Sequence, residues 1–67
     1  MKRGDLIRHL RGHGCEFVRE GRAHSIRTNP ATGEIDYVPR RTEIRNGTAR
    51  SICRNLSIPI IGRETRQ

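Results

Sequence analysis

Two stretches of helical apolar spacing, one towards each end of the chain, restrict its folding more than any other feature. Ala49, Ile52, Cys53 and Leu56 recur at i, i+3, i+4 and i+7, with Arg50 and Arg54 between them. That spacing lines four apolar side chains along one stripe of a helix and leaves the arginines outside it. Leu6, Ile7 and Leu10 repeat the pattern earlier, interleaved with Arg3, Arg8 and Arg11. A helix with a single apolar stripe has to cover something, and the residues between the two helices must supply it.

Those residues read as strands. The first helix is expected from about Arg3 to His13, with Asp5 suited to its positive end and Gly14 as its C′ stop, Gly12 weakening the last turn. Cys15 to Glu20 forms a first strand, followed by a turn at Gly21. Ala23 to Thr28 alternates, with His24, Ile26 and Thr28 on one parity and Ser25 and Arg27 on the other. Asn29-Pro30-Ala31-Thr32-Gly33 carries dense turn chemistry, and Ile35 to Val38 gives a third strand closed by Pro39. Short turns between three strands imply an antiparallel meander. Arg40 to Arg45 is a basic connector, Asn46 a candidate N-cap for a second helix running to about Leu56, and Pro59 a stop. The expected class is α+β, in the order α-β-β-β-α, a three-stranded antiparallel sheet with two helices on one face. One domain is expected over residues 1–59, with a polar tail over 60–67 that is loose from Gly62.

Only 31% of the 67 residues are apolar, and Phe17 and Tyr37 are the only phenylalanine and tyrosine, with no tryptophan. A chain this short buries roughly 60% of its unfolded surface, so its core is thin. An enclosed small-molecule pocket is therefore not expected; an exposed working surface is, with stability gained from a partner or from self-association. Fourteen Lys+Arg against seven Asp+Glu give a net charge of +7, and Lys2 is the one lysine. Arginine presents a planar fork of donors matched to phosphate, which points to nucleic acid, with an acidic protein as the other natural complement. Cys15 and Cys53 have no CxxC spacing, and no apolar run is long enough to span a membrane. The chain is expected to be cytoplasmic, with both thiols reduced and packed as small hydrophobes.

The residues that could carry chemistry are few. His9 and His13 share a helix face near Cys15, but a structural zinc site would need a fourth ligand from Cys53 or His24, and Cys53 occupies a core position. A solvated histidine pair is the simpler reading, and no metal is assigned. No nucleophile elbow surrounds Ser25, and no glycine-rich phosphate loop is present. His24 remains, the one histidine outside the first helix, with Arg19, Arg22 and Arg27 around it. RNA carries its own nucleophile in the 2′-OH, so its cleavage needs a base, an acid and cations on the transition state rather than a protein nucleophile. The residues alone leave His24 open as a general acid/base or as an ordinary strand histidine. Arg22, Arg27, Arg41, Arg50, Arg54 and Lys2 are candidate RNA contacts, each also readable as a solvated surface charge. Tyr37 could stack on a base or simply pack.

The order of these signals resembles the HicA toxins, small ribonucleases of toxin–antitoxin modules, over about residues 2 to 58. Lys2-Arg3-Gly4-Asp5-Leu6-Ile7-Arg8-His9-Leu10 is similar to the family's first helix, and His13-Gly14-Cys15-Glu16-Phe17-Val18-Arg19 to its passage into the first strand. Ala23-His24-Ser25-Ile26-Arg27 with Asn29-Pro30 resembles the segment holding the family's histidine. Val38-Pro39-Arg40 and Ile44-Arg45-Asn46-Gly47-Thr48-Ala49-Arg50-Ser51-Ile52 resemble its Val-Pro and Gly-Thr-x-x-x-Ile signatures. The resemblance implies a fold similar to double-stranded RNA-binding domains and a metal-independent mRNA interferase that arrests translation, its catalytic residue mapping onto His24. It implies no cofactor, a HicB-like antitoxin that covers His24, and assembly into a larger toxin–antitoxin oligomer. Arg22-Ala23 stands where the family commonly has Gly-Ser, and Arg41 where a histidine often follows Val-Pro. Two other classes stay in view: a non-catalytic basic RNA-binding module, and an interaction protein whose basic face docks an acidic partner.

Overall fold

A computed structural model describes residues 1–61. The chain runs α1 (Arg3–Gly12), β1 (Glu16–Glu20), β2 (His24–Asn29), β3 (Glu34–Pro39) and α2 (Asn46–Asn55). The three strands form one antiparallel sheet in the order β1-β2-β3, so the α-β-β-β-α meander expected from the sequence is the observed architecture. The expected tail from Gly62 onward lies outside the described residues, while Ile60 and Ile61 pack against the core.

Both helices end in the same hydrogen-bonded device. After α1, Gly14 adopts φ +87, Cys15 N–H donates to the Leu10 carbonyl at 2.9 Å and Gly14 N–H to that of Arg11 at 3.0 Å. After α2, Ile58 N–H donates to Cys53 at 3.0 Å and Ser57 N–H to Arg54 at 3.1 Å. These pairs satisfy carbonyls that a helix end leaves without partners. The second left-handed position is filled by Ser57, at φ 57. At the other end of α2 the N-cap is Arg45, with φ −62 and ψ 143, not the expected Asn46, and no side chain caps the helix. The Asn46 carboxamide is turned towards the amino terminus instead, 3.5 Å away.

Which face of the sheet meets the helices follows from three contacts, two on β2 and one on β3. Arg3 of α1 donates to Ser25 Oγ at 2.7 Å, and the buried Asn29 Nδ2 donates to the Leu56 carbonyl at the end of α2 at 2.7 Å. On β3, Asp36, the partner of Arg27, accepts from Asn55 of α2 at 3.1 Å. Ser25, Arg27 and Asn29 share one parity, so both helices lie on that face. The opposite parity carries His24, Ile26 and Thr28, paired with Pro39, Tyr37 and Ile35. The helix-facing side of β2 is thus its polar side, the reverse of the usual arrangement of apolar residues inwards.

The core follows from this inversion. Leu6, Leu10, Ala49, Ile52, Cys53 and Leu56 pack with Cys15, Val38 and Ile44, so the strands contribute Val38 alone. Ile26 is buried on the outer face instead. Every residue of β1 is exposed, and the register shifts at Val18, where two residues of β1 span one step of β2. A bulge on a strand that no helix covers bends an edge away from further pairing.

Candidate functional site

His24 is the first residue of β2, and its backbone is fixed from three sides. Gly21 N–H donates to the His24 carbonyl at 2.7 Å, closing the β1–β2 connection, and Arg40 N–H donates to the Ala23 carbonyl at 3.3 Å. The Arg40 guanidinium reaches over this loop to the Arg22 carbonyl and to Glu20 Oε1 at 3.4 Å. From α1, Arg3 Nε donates to the carbonyl of Pro39, the cross-strand partner of His24, at 2.8 Å. Gly21 fits closely here: a Cβ on it would sit 3.1 Å from the His24 carbonyl oxygen, and the loop would have to give to admit it.

The imidazole is exposed and meets Tyr37 edge to face, with ring centroids 6.4 Å apart. It borders an open pocket of about 400 Å³, whose lining includes Arg41, Glu43, Arg45 and Thr48. Arg41 and Arg45 are exposed, so their guanidinium forks are accessible. Thr48 stands in the first turn of α2, whose leading amides have no side-chain cap. Uncapped N–H groups and the positive end of the helix dipole favour an anion at that edge of the pocket. The pocket thus joins a proton-transfer group to two cationic forks and a helix N-terminus. That set matches the needs of a phosphodiester.

The remaining sequence candidates are distributed more widely. Arg22 is exposed in the loop preceding His24, and Lys2 is exposed and pairs through its backbone with Glu43. Arg50 folds back along α2, its Nη2 4.0 Å from where a Cβ on Gly47 would be, whereas Arg54 lies in the last turn. Arg27 is not brought to His24: it lies on the helix side of β2, above Phe17 with its Cζ 5.9 Å from the ring centroid. Ser25 also faces the helices, accepting from Arg3 and donating to Glu20 at about 3.0 Å. Arg45, Thr48 and Glu43 were not singled out by the sequence. A conspicuous arginine two residues before Gly-Thr was the available signal, but only the fold sets it beside a histidine at position 24.

Cys15 and Cys53 are core side chains, 2% and 0% exposed, and burial pushes the Cys15 thiol up from its ordinary value against the opposing pull of Arg27. The His9 and His13 rings lie 4.7 Å apart, with His9 Nε2 2.7 Å from the Pro59 carbonyl. Among the described residues no group of three or more His, Cys, Asp or Glu is placed to hold a metal ion. No helix of the described residues is long and apolar enough to cross a membrane.

Fold and pocket together describe a small basic α+β domain with a histidine-bearing cleft on its sheet. The family model described as HicA toxin of bacterial toxin-antitoxin matches residues 3–58, and the chain belongs to that family of toxins. Membership implies an antitoxin as partner. No curated protein and no solved structure matches the chain.

Proposed function

We propose that this toxin is a metal-independent endoribonuclease that cuts mRNA and arrests translation, with His24 as its general acid/base. The observation that carries the reading is the joint lining of one pocket by His24, Arg41, Arg45 and the N-terminal turn of α2. His24 takes the proton of a ribose 2′-OH as its oxygen attacks the adjacent phosphorus. The O2′–P bond forms and the P–O5′ bond breaks, leaving a 2′,3′-cyclic phosphate. The departing 5′ oxygen takes its proton from water at the open mouth of the pocket. Arg41 and Arg45 hold the non-bridging oxygens as charge builds on them. Arg22, Lys2 and Arg50 guide neighbouring phosphates, and Arg54 extends the attraction along α2.

A HicB-like antitoxin neutralises the enzyme by covering His24. The reading is supported by the apolar surface beside it, where Ile35 and Tyr37 are 55% and 57% exposed on the same face. Toxin and antitoxin assemble further into a larger oligomer, and the site of action is the cytoplasm, where the substrate is.

The test is degradation of a defined mRNA in EDTA by the purified protein and by His24→Ala, with RNA binding measured on both. Cleavage by wild type alone, with binding retained in the variant and 2′,3′-cyclic phosphate ends on the products, is the expected result. Equal cleavage by both removes His24 from the mechanism. Tight binding with no cleavage by either leaves a non-catalytic RNA-binding module as the reading.

A further inference from the structure

On the side of the sheet away from His24 lies a cation that the described fold does not satisfy. Arg27 is half-buried on the helix side of β2, and its Nε–H is buried without a hydrogen-bond partner among the described residues. Among the described residues its one hydrogen bond is long, Nη1 to the Cys15 carbonyl at 3.4 Å. Burial first, and then the charges of Arg11 and Arg3, hold its guanidinium below the ordinary value. No carboxylate pairs with Arg27 or Arg11 among the described residues. Buried donors are nearly always satisfied. The cross-strand Asp36 is engaged by Asn55, so a half-buried guanidinium with an unmet N–H beside Arg11 leaves a place for an anion in the cleft these arginines line.

The surroundings specify that acceptor. β1 is not covered by any helix, so Arg27, Arg11 and Phe17 line an open cleft of about 490 Å³. Arg11 also lines a second cleft of about 720 Å³ running along α1 past Arg8. Arg3 adds mainly field, because its Nε and Nη2 are committed to Pro39 and Ser25. Glu16, which also borders the first cleft, pairs with Thr28 and so projects from the opposite pleat. Phe17 is 50% exposed, and its ring offers a stacking face beside the two forks. Fixed cations next to an exposed aromatic are suited to a nucleotide of a single strand: phosphate on arginine, base on ring.

We infer that Arg27, Arg11 and Phe17 form a second nucleic-acid site, on the face of the sheet opposite His24, that takes one backbone phosphate and the base next to it. This inference rests on the reading of RNA as the substrate. It adds a docking site that holds a strand without cutting it, since no histidine of the sheet faces that side.

The probes are inorganic phosphate and a single-stranded oligodeoxynucleotide, which lacks the 2′-OH and cannot be cleaved by the proposed route. Proteins compared are the wild type, Arg27→Met, Arg11→Gln, Phe17→Ala and His24→Gln. Phosphate is expected to shift the Arg27 Nε–H resonance in wild type and in His24→Gln. Arg27→Met and Arg11→Gln should each weaken oligonucleotide binding about tenfold, the size of one lost charge-assisted bond. Each should also reduce the slope of log affinity against log salt by about 0.7. Arg11 is exposed on α1, so its variant tests the site without disturbing packing. Phe17→Ala should weaken the oligonucleotide and leave inorganic phosphate unaffected; equal loss of both probes would overturn the stacking assignment. Unchanged affinity in both arginine variants would overturn the site. Loss in His24→Gln to the same extent would show one site rather than two. If wild type cleaves no RNA yet these losses appear, the catalytic reading fails and the docking site stands.

Discussion

Replacing Asn29 by alanine isolates the contact that ties the β2–β3 turn to the end of α2. Asn29 is 6% exposed; its Nδ2 donates to the Leu56 carbonyl at 2.7 Å and its Oδ1 accepts from Ala31 N–H at 3.0 Å. Asn29→Ala removes both hydrogen bonds: about 1 kcal/mol for the one from Ala31 N–H, and about 1–2 kcal/mol for leaving the buried Leu56 carbonyl without its donor. The sum, about 2–3 kcal/mol, is a large share of the roughly 3–10 kcal/mol expected for a chain of this length. With a urea m-value near 1 kcal/mol/M, the unfolding midpoint should fall by about 2–3 M. Asn29→Asp sharpens the test, because the acceptor for Ala31 is kept while the donor to Leu56 exists only when the carboxyl is protonated. Desolvation beside a carbonyl oxygen raises that carboxyl above its ordinary value of about 3.9 in the folded state. Its support is therefore present below that value and is lost as pH rises through the folded one. Relative to wild type at each pH, Asn29→Asp should approach wild-type stability at about pH 3 and resemble Asn29→Ala at pH 7. Specific activity of the folded variants should not change, since His24 lies at the other end of β2. A midpoint shift below about 0.5 M would refute the reasoning, by showing that water already serves the Leu56 carbonyl.

Two further changes test the fold near its ends. Ser57→Gly relieves a left-handed residue and should raise stability by up to about 1 kcal/mol at neutral pH, read by urea unfolding. It also removes one of the hydroxyls, Ser57 first and Thr32 second, that hold the Glu34 carboxyl below its ordinary value. The support from Glu34 is present above the ordinary carboxylate range and lost as pH falls through the lower folded value, so the variant's advantage should grow in acid. Gly21→Ala places a Cβ 3.1 Å from the His24 carbonyl, and the bond between Gly21 and His24 must lengthen to admit it. It should cost about 1 kcal/mol and lower RNA cleavage more than RNA binding, because the displaced residue is the proposed base. Unchanged cleavage kinetics would mean that the loop does not position the imidazole.

Much of this fold can be read from the chain because its helices have one simple task. All four residues of the Ala49, Ile52, Cys53 and Leu56 stripe are buried, as are Leu6 and Leu10. Gly14 stops α1 at C′ as read, and Asn29-Pro30 opens the turn as read. What the pattern could not show was which parity of β2 turns inward. Ile26 argues for the His24 side, yet the helix side is the polar one. The polar residues there are satisfied by groups 22 and 27 positions away, Arg3 for Ser25 and Leu56 for Asn29. A local pattern contains no information about partners that distant. The same limit hid Ile44, a core residue inside the basic connector, and the N-cap at Arg45.

The site was legible to the same depth. A histidine among arginines, and Arg41 after Val-Pro, could be singled out by residue type. That Arg27 belongs to a different face was legible too, since alternation sets it on the parity opposite His24. The approach of Arg45 and Thr48 to His24 was not, because only the fold brings α2 there. Alternation converts a cluster in sequence into two surfaces with separate chemistries. One has an exposed imidazole, two forks and a helix end beside an open pocket; the other has a half-buried guanidinium, Arg11 and a phenyl ring. Net charge measures their sum and so cannot distinguish them, whereas salt dependence can. A strand long enough to contact both faces should lose affinity with salt more steeply than one confined to the His24 pocket, because each neutralised phosphate adds about 0.7 to the slope. The difference between long and short strands should disappear in Arg27→Met and persist in His24→Ala. Division of the arginines by the pleat, more than their number, sets how this domain would hold RNA.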